Sequence, residues 1–292
     1  IRWLFKSRKI NNVGDSMELV IIRGGGDLAT GIGYRLFMAG FQIIILEIEK
    51  PLTVRRTVSF SEAVYRGETT VEGVKAVLCD FYTSMDILSD GNIPVIIDPN
   101  GNTTETFKPM AVVDCIMAKE NLGTNKNMAP ITIGVGPGFN AGEDVDLVIE
   151  SNRGHNLGRV IYKGYAESNT GIPSSINGIS EGRIIRAPKD GIIKWNINFG
   201  DIVRENVIIG NIDEMEIRSK IEGKIRGLIK GGLYVNKGLK IGDIDPRGEK
   251  VSVDTISDKA RAIGGGVLEG ILYMKNHMVL IWFFFIASIH PI

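Results

Sequence analysis

The chain has 292 residues, 43% of them hydrophobic and 23% charged, with a formal net charge of zero, so it can bury a core and is not a disordered chain. The balanced charge lacks the basic footprint of a nucleic-acid binder. Two cysteines, Cys79 and Cys115, make neither a disulfide framework nor a metal-ligand spacing, which fits a reducing cytoplasm.

Residues 1–16 carry basic side chains but no apolar core of signal-peptide build. Met17 reads as a start, with 1–16 an extension outside the folded unit. Leu19 to Ile22 is a short apolar run, as in a strand buried on both faces. Gly24 to Gly26 break it, Asp27 can open a helix, and Leu28, Ile32, Leu36 and Ala39 follow at helical spacing up to Gly40. Gln42 to Leu46 is a second strand, ending at Glu47. This is a βαβ unit.

Its turn, Gly24-x-Gly26-x-x-Ala29, has the spacing of a dinucleotide fingerprint, and Glu47 stands about 20 residues on, where a ribose-binding acid belongs. Glycines let backbone approach a pyrophosphate, and the helix start supplies N–H groups. Asp27 cuts the other way, because its carboxylate can occupy the same N–H groups. Gly24, Gly25, Gly26, Asp27 and Glu47 are therefore candidate ligand residues, and a tight corner that binds nothing is the other reading.

Arg55 and Arg56 follow the second strand as a candidate anion clamp or a solvated helix start. "IPVIIDP" ends at Asp98, "AVVDCIM" carries Asp114, and "ITIGVGPGF" ends in Gly136 and Gly138. The carboxyl ends of parallel strands line ligand crevices, so Asp98, Asp114, Gly136 and Gly138 join the candidates, with turn or cap roles as the alternative. The loop "SNRGHNLGRVIYKGYAESNTG" gathers Asn152, Arg153, His155, Arg159, Asn169 and Thr170, without a nucleophile triad or metal set.

From Ala187 to Asp245 the sequence repeats at an offset of 32: "DGIIK" with "EGKIR", "GDIV" with "GLYV", "VIIGNID" with "LKIGDID". Two β-rich halves of this kind resemble the lipoyl/biotinyl barrel-sandwich hybrid. The hairpin tip falls at Asp213 to Met215 with no lysine, and Lys220 lies in the second half, so a structural or docking module is expected rather than a carrier. Ser257 and Asp258 then open a helix. Gly264 to Gly266 predict either a break in it or close backbone contact. The apolar tail from Met278 to Ile289 is shorter than the ~20 residues of a membrane span and reads as a packed terminus or a sequence artefact.

Taken together, "GGGDLATG", "RRTVSFSEAV", "GPGFNAGEDV", "SNRGHNLGRVI", "AESNTGIP", "GDIDPR" and "ISDKARAIGGGVLEG" resemble the selenium-dependent molybdenum hydroxylase system proteins of the YqeB type over Met17 to Lys275. The resemblance implies a cytoplasmic accessory protein that helps mature a molybdenum hydroxylase, with that enzyme or its maturation factors as partners. It carries no catalytic residues.

The expected architecture is a Rossmann-like α/β domain over 17–180, a barrel-sandwich hybrid β module over 181–248 and a helical segment over 249–277 packing back on the first domain, with 1–16 and 278–292 as extensions. The expected ligand is a nucleotide, either NAD(P) or of the molybdopterin type, without a metal. An NAD(P)-dependent reductase and a non-catalytic docking scaffold are the alternatives. Neither nucleic acid nor a membrane is an expected partner.

Overall fold

The computed structural model describes residues 18–168 and 175–289, with side chains described as far as residue 277. The expectations for 1–16, for Asn169 and Thr170, and for the side chains of the apolar tail lie outside the described residues.

In chain order the first half contains β1 (Leu19–Arg23), α1 (Asp27–Met38), β2 (Gln42–Glu47), α2 (Ala63–Arg66), β3 (Glu68–Val71), β4 (Val74–Leu78), α3 (Ser84–Ser89), β5 (Ile93–Ile97), α4 (Thr103–Phe107), β6 (Ala111–Asp114) and β7 (Ile131–Val135). Then come β8 (Asn140–Ala141), β9 (Leu147–Ile149), β10 (Val160–Ile161) and β11 (Gly164–Tyr165). The second half contains β12 (Ile184–Arg186), β13 (Gly191–Trp195), β14 (Ile202–Val203), β15 (Ile208–Ile212), β16 (Met215–Arg218), β17 (Gly223–Leu228), β18 (Tyr234–Val235), β19 (Lys240–Asp245) and α5 (Asp258–Ile289).

Nine strands form one sheet in the order β10-β9-β7-β6-β1-β2-β5-β4-β3. β1 sits at its centre, parallel to β2 and β6. Parallel pairing runs outward to β4 and β9, and the two edge strands, β3 and β10, are antiparallel. The apolar run of β1 needs two buried faces, and it has them. Val20 and Ile22 join a core with Ile32, Leu36, Phe60, Ile263 and Val267, under α1 and α5. Leu19 and Ile21 face a second cluster with Ile44, Leu46, Leu88 and Val112.

α1 and α5 lie against each other at glycine contact. A Cβ at Gly31 would stand 2.6 Å from that of Ala260, and one at Gly264 2.7 Å from the Gly31 carbonyl oxygen. Of the two expectations for Gly264 to Gly266, close contact holds and the break does not, since α5 is continuous through them.

The second half forms two four-stranded sheets, β12-β19-β17-β14 and β16-β15-β13-β18, with antiparallel pairing, around a core that includes Ile193, Ile209, Ile212, Ile225, Ile241 and Ile244. They meet the large sheet at the loop after β2. Leu228 N–H donates to the Val54 carbonyl (2.8 Å), and Thr57 Oγ1 donates to the Val253 carbonyl (2.6 Å).

The expected Rossmann-like domain with a lipoyl-type barrel-sandwich is therefore corrected to one large mixed sheet with several small antiparallel sheets. A doubly wound domain places helices on successive crossovers. Here α1 has 12 residues, but α2, α3 and α4 have only 4, 6 and 5. A single βαβ unit looks the same in both architectures. The 32-residue repeat reports strand and turn spacing, which other antiparallel sheets share, and does not fix how the strands pair.

Candidate functional site

A crevice of about 1260 Å³ opens at the carboxyl ends of β1 and β2, between the large sheet, the small sheets and the start of α5. Gly24, Gly25, Gly26, Asp27, Glu47, Arg55 and Asp98 line it; Arg56, Asp114, Gly136 and Gly138 do not.

The glycine turn has separate reasons at each position. Gly24 has φ +91°, and a Cβ there would meet the Cys115 carbonyl oxygen at 2.9 Å. A Cβ at Gly25 would meet Ile45 and the Ser61 nitrogen at 3.0 Å. Gly26 is different: the nearest atom to its Cβ position is Thr53 Oγ1, at 3.6 Å. Packing requires the first two glycines and leaves the third free to face the crevice.

Glu47 is engaged by the turn itself. Its Oε2 accepts from Gly25 N–H and its Oε1 from Ile48 N–H, both at 2.8 Å. It is 9% exposed, and burial pushes its pKa up against those two hydrogen bonds. The carboxylate closes the turn with these two bonds while bordering the crevice.

The other candidates separate into struts and crevice groups. Arg56 donates to both oxygens of Glu62 and lies over the Phe199 ring, away from the crevice. Asp114 is buried against Arg23 (3.6 Å) and accepts from Thr124 Oγ1 and Ile116 N–H. Gly136 and Gly138 fit a tight corner, where Cβ atoms would strike Ser151 and the Glu120 backbone. Asp98 borders the crevice but binds its own loop, accepting from the N–H groups of Gly101, Asn102 and Thr103 and from Thr103 Oγ1. Arg153 pairs with Asp258, and exposed His155 stands outside the crevice.

Arg55 is the exception. It is 7% exposed, its Nη2 donates to the Thr255 carbonyl (3.2 Å), and its Nη1 lies 3.5 Å from Asp27 Oδ2. Its Nε and Nη1 make no hydrogen bond among the described residues. Arg226, on β17, also borders the crevice with an unbonded Nε. Burial and then the charge of Arg55 hold its pKa below the usual arginine value. Nine basic and five acidic side chains line the crevice of a chain whose net charge is zero.

Arg226, Arg183 and Lys259 escaped the sequence reading. Arg226 occupies an ordinary alternating position of a strand, and Lys259 looks like any lysine after a helix cap. Among the described residues there is no cluster of three metal-binding side chains, and no helix is long and apolar enough to cross a membrane.

No family model matches the chain. Solved structures similar to it include an aspartoacylase family protein from Mesorhizobium loti (8% identical, covering 72% of this chain and 58% of that one, TM-score 0.23). Another is a succinylglutamate desuccinylase from Silicibacter (10% identical, 78% and 84% covered, TM-score 0.23). A third is a succinylglutamate desuccinylase/aspartoacylase from Rhodobacter sphaeroides (12% identical, 78% and 85% covered, TM-score 0.24). Likeness of this degree carries no activity across. The expected maturation role, with its reductase alternative and its selenium and molybdenum associations, is withdrawn: neither a family model nor a solved structure carries it. A curated relative is "Uncharacterized protein YqeB" of Escherichia coli, 51% identical over 263 residues, 90% of this chain and 49% of that protein. The chain thus belongs with the YqeB-type proteins and spans about half the length of the relative it matches.

Proposed function

We propose that the crevice binds a small molecule bearing two or more carboxylate or phosphate groups, anchored by Arg55 and Arg226. The Arg55 guanidinium carries this reading. A buried donor left without an acceptor costs about 1–3 kcal/mol, more when charged, and a second guanidinium in electrostatic reach adds repulsion. The Asp27 ion pair at 3.5 Å and the Thr255 carbonyl engage part of the Arg55 guanidinium and leave its Nε without an acceptor. A bound oxyanion supplies both the acceptors and the opposite charge. The open face at Gly26 and the surplus of basic side chains around the crevice support the same class of ligand.

Calorimetry with inorganic pyrophosphate and citrate, against glycerol as an uncharged control, tests the reading. Both anions should bind and glycerol should not. Arg55→Gln should weaken binding by about 2 kcal/mol, roughly thirty-fold, with the fold intact by circular dichroism. Unchanged affinity in that variant, or no affinity of the parent for either anion, would sink the proposal.

A further inference from the structure

Lys259 lies in the first turn of α5 and borders the same crevice as Arg55 and Arg226. Two neighbouring carboxylates could hold it as an ammonium ion, and each is taken by an arginine. Asp27 has Arg55 at 3.5 Å, and Asp258 accepts from both terminal nitrogens of Arg153 at 2.7 Å. A planar guanidinium matches a carboxylate with two donors, which an ammonium cannot do. Glu150, a third acid in electrostatic reach, is used by the backbone N–H groups of Asn152 and Glu167. The fourth ionisable neighbour is the buried thiol of Cys115, whose pKa burial pushes up, so it offers no charge. The Lys259 side-chain amine has no hydrogen bond or ion pair among the described residues. Burial, and then the positive charge of Arg153, lower its pKa. A lysine half removed from water beside another cation is the environment that yields a nucleophilic amine.

We propose that Lys259 is the reactive amine of the crevice, and that it adds to the carbonyl carbon of an anionic aldehyde or ketone whose carboxylate or phosphate is held by Arg55 and Arg226. The inference rests on the anion-binding reading above. The neutral amine attacks the carbonyl carbon, the C=O π bond breaks, and the oxygen takes up a proton to give a carbinolamine. The C–O bond then breaks, the oxygen leaves with a further proton as water, and a protonated imine joins the ligand to Nζ. The amine, the carbonyl compound and one net proton become the protonated imine and water, with no oxidant or reductant.

The test is reductive trapping on the full chain. Pyridoxal 5′-phosphate serves as an anionic aldehyde and benzaldehyde as an uncharged one, with cyanoborohydride as trap and peptide mapping as readout. Lys259 should be labelled by the anionic probe about ten-fold faster than exposed lysines at neutral pH, because more of its amine is neutral and the anchors hold the probe beside it. Inorganic pyrophosphate should protect it, and Lys259→Met should remove that label alone. Anionic labelling that merely follows exposure would overturn the inference. Equal labelling of Lys259 by both aldehydes would remove the anionic ligand class. Calorimetric binding of pyridoxal phosphate without labelling at Lys259 would refute the amine while leaving the anion site standing.

Discussion

Asp98 shows how one carboxylate at the crevice is spent on structure. Burial alone would raise its pKa, but the N–H and hydroxyl of Thr103, with the N–H groups of Asn102 and Gly101, outweigh burial and bring it below 3.8. A carboxyl whose folded pKa is depressed adds stability above its unfolded pKa, and that stability is lost as pH falls through the folded value. Asp98→Asn should therefore cost about 1–2 kcal/mol near neutrality, and the deficit should shrink as pH falls below 3.8. Urea titrations of parent and variant across that range check this; a deficit independent of pH would contradict it. Residue chemistry was partly legible in the sequence. Arg55 and the glycine turn were found because they follow a strand closely, where crevices form. The partners of Glu47 and Arg56 were not, because both acids and bases at strand ends can equally be tied to backbone or to each other.

At the scale of elements, the α1–α5 contact accounts for glycines that local propensity makes look like errors. Gly264 stands where a Cβ would press on the Gly31 carbonyl at 2.7 Å, whereas Gly265 has nothing within 4 Å. The two neighbours should respond oppositely to the same change. Gly264→Ala should destabilise by about 1–3 kcal/mol, since backbone on both sides must move. Gly265→Ala should stabilise by up to about 1 kcal/mol through helix propensity. Thermal unfolding of the two variants decides it, and equal shifts would show that the helices do not meet there. The β1–α1–β2 unit was legible because its pattern is local: an apolar run, a glycine turn, a 3.6-residue period. The pairing of distant strands has no such signature. The order of the nine-stranded sheet and the split of the β-rich half into two sheets had to come from the structure.

For the whole molecule, the crevice is where three parts of the chain converge: the loop after β2 brings Arg55, β17 brings Arg226, and α5 brings Lys259. No stretch of sequence contains that set, which is why it was invisible before folding. The convergence carries a cost in the unliganded protein. Arg226 is largely buried within electrostatic reach of Arg55, and its ion-pair partner Asp245, at 3.6 Å, is already held by Arg247 through two side-chain hydrogen bonds. Replacing a buried, poorly compensated charge by an apolar side chain of similar length is often stabilising by about 1–4 kcal/mol. Arg226→Met should therefore raise the stability of the free protein by about 1 kcal/mol, since Asp245 keeps its Arg247 partner. The same variant should lose at least about ten-fold in affinity for pyrophosphate, because a charge-assisted bond to an oxyanion contributes more than 1.4 kcal/mol. Guanidinium titrations with and without pyrophosphate measure both quantities. In the parent, saturating anion should raise the midpoint by mass action, and in Arg226→Met that rise should nearly vanish while the anion-free midpoint moves up. If the variant is instead less stable without anion and keeps its affinity, Arg226 is a structural strut, and the anchor falls to Arg55 alone.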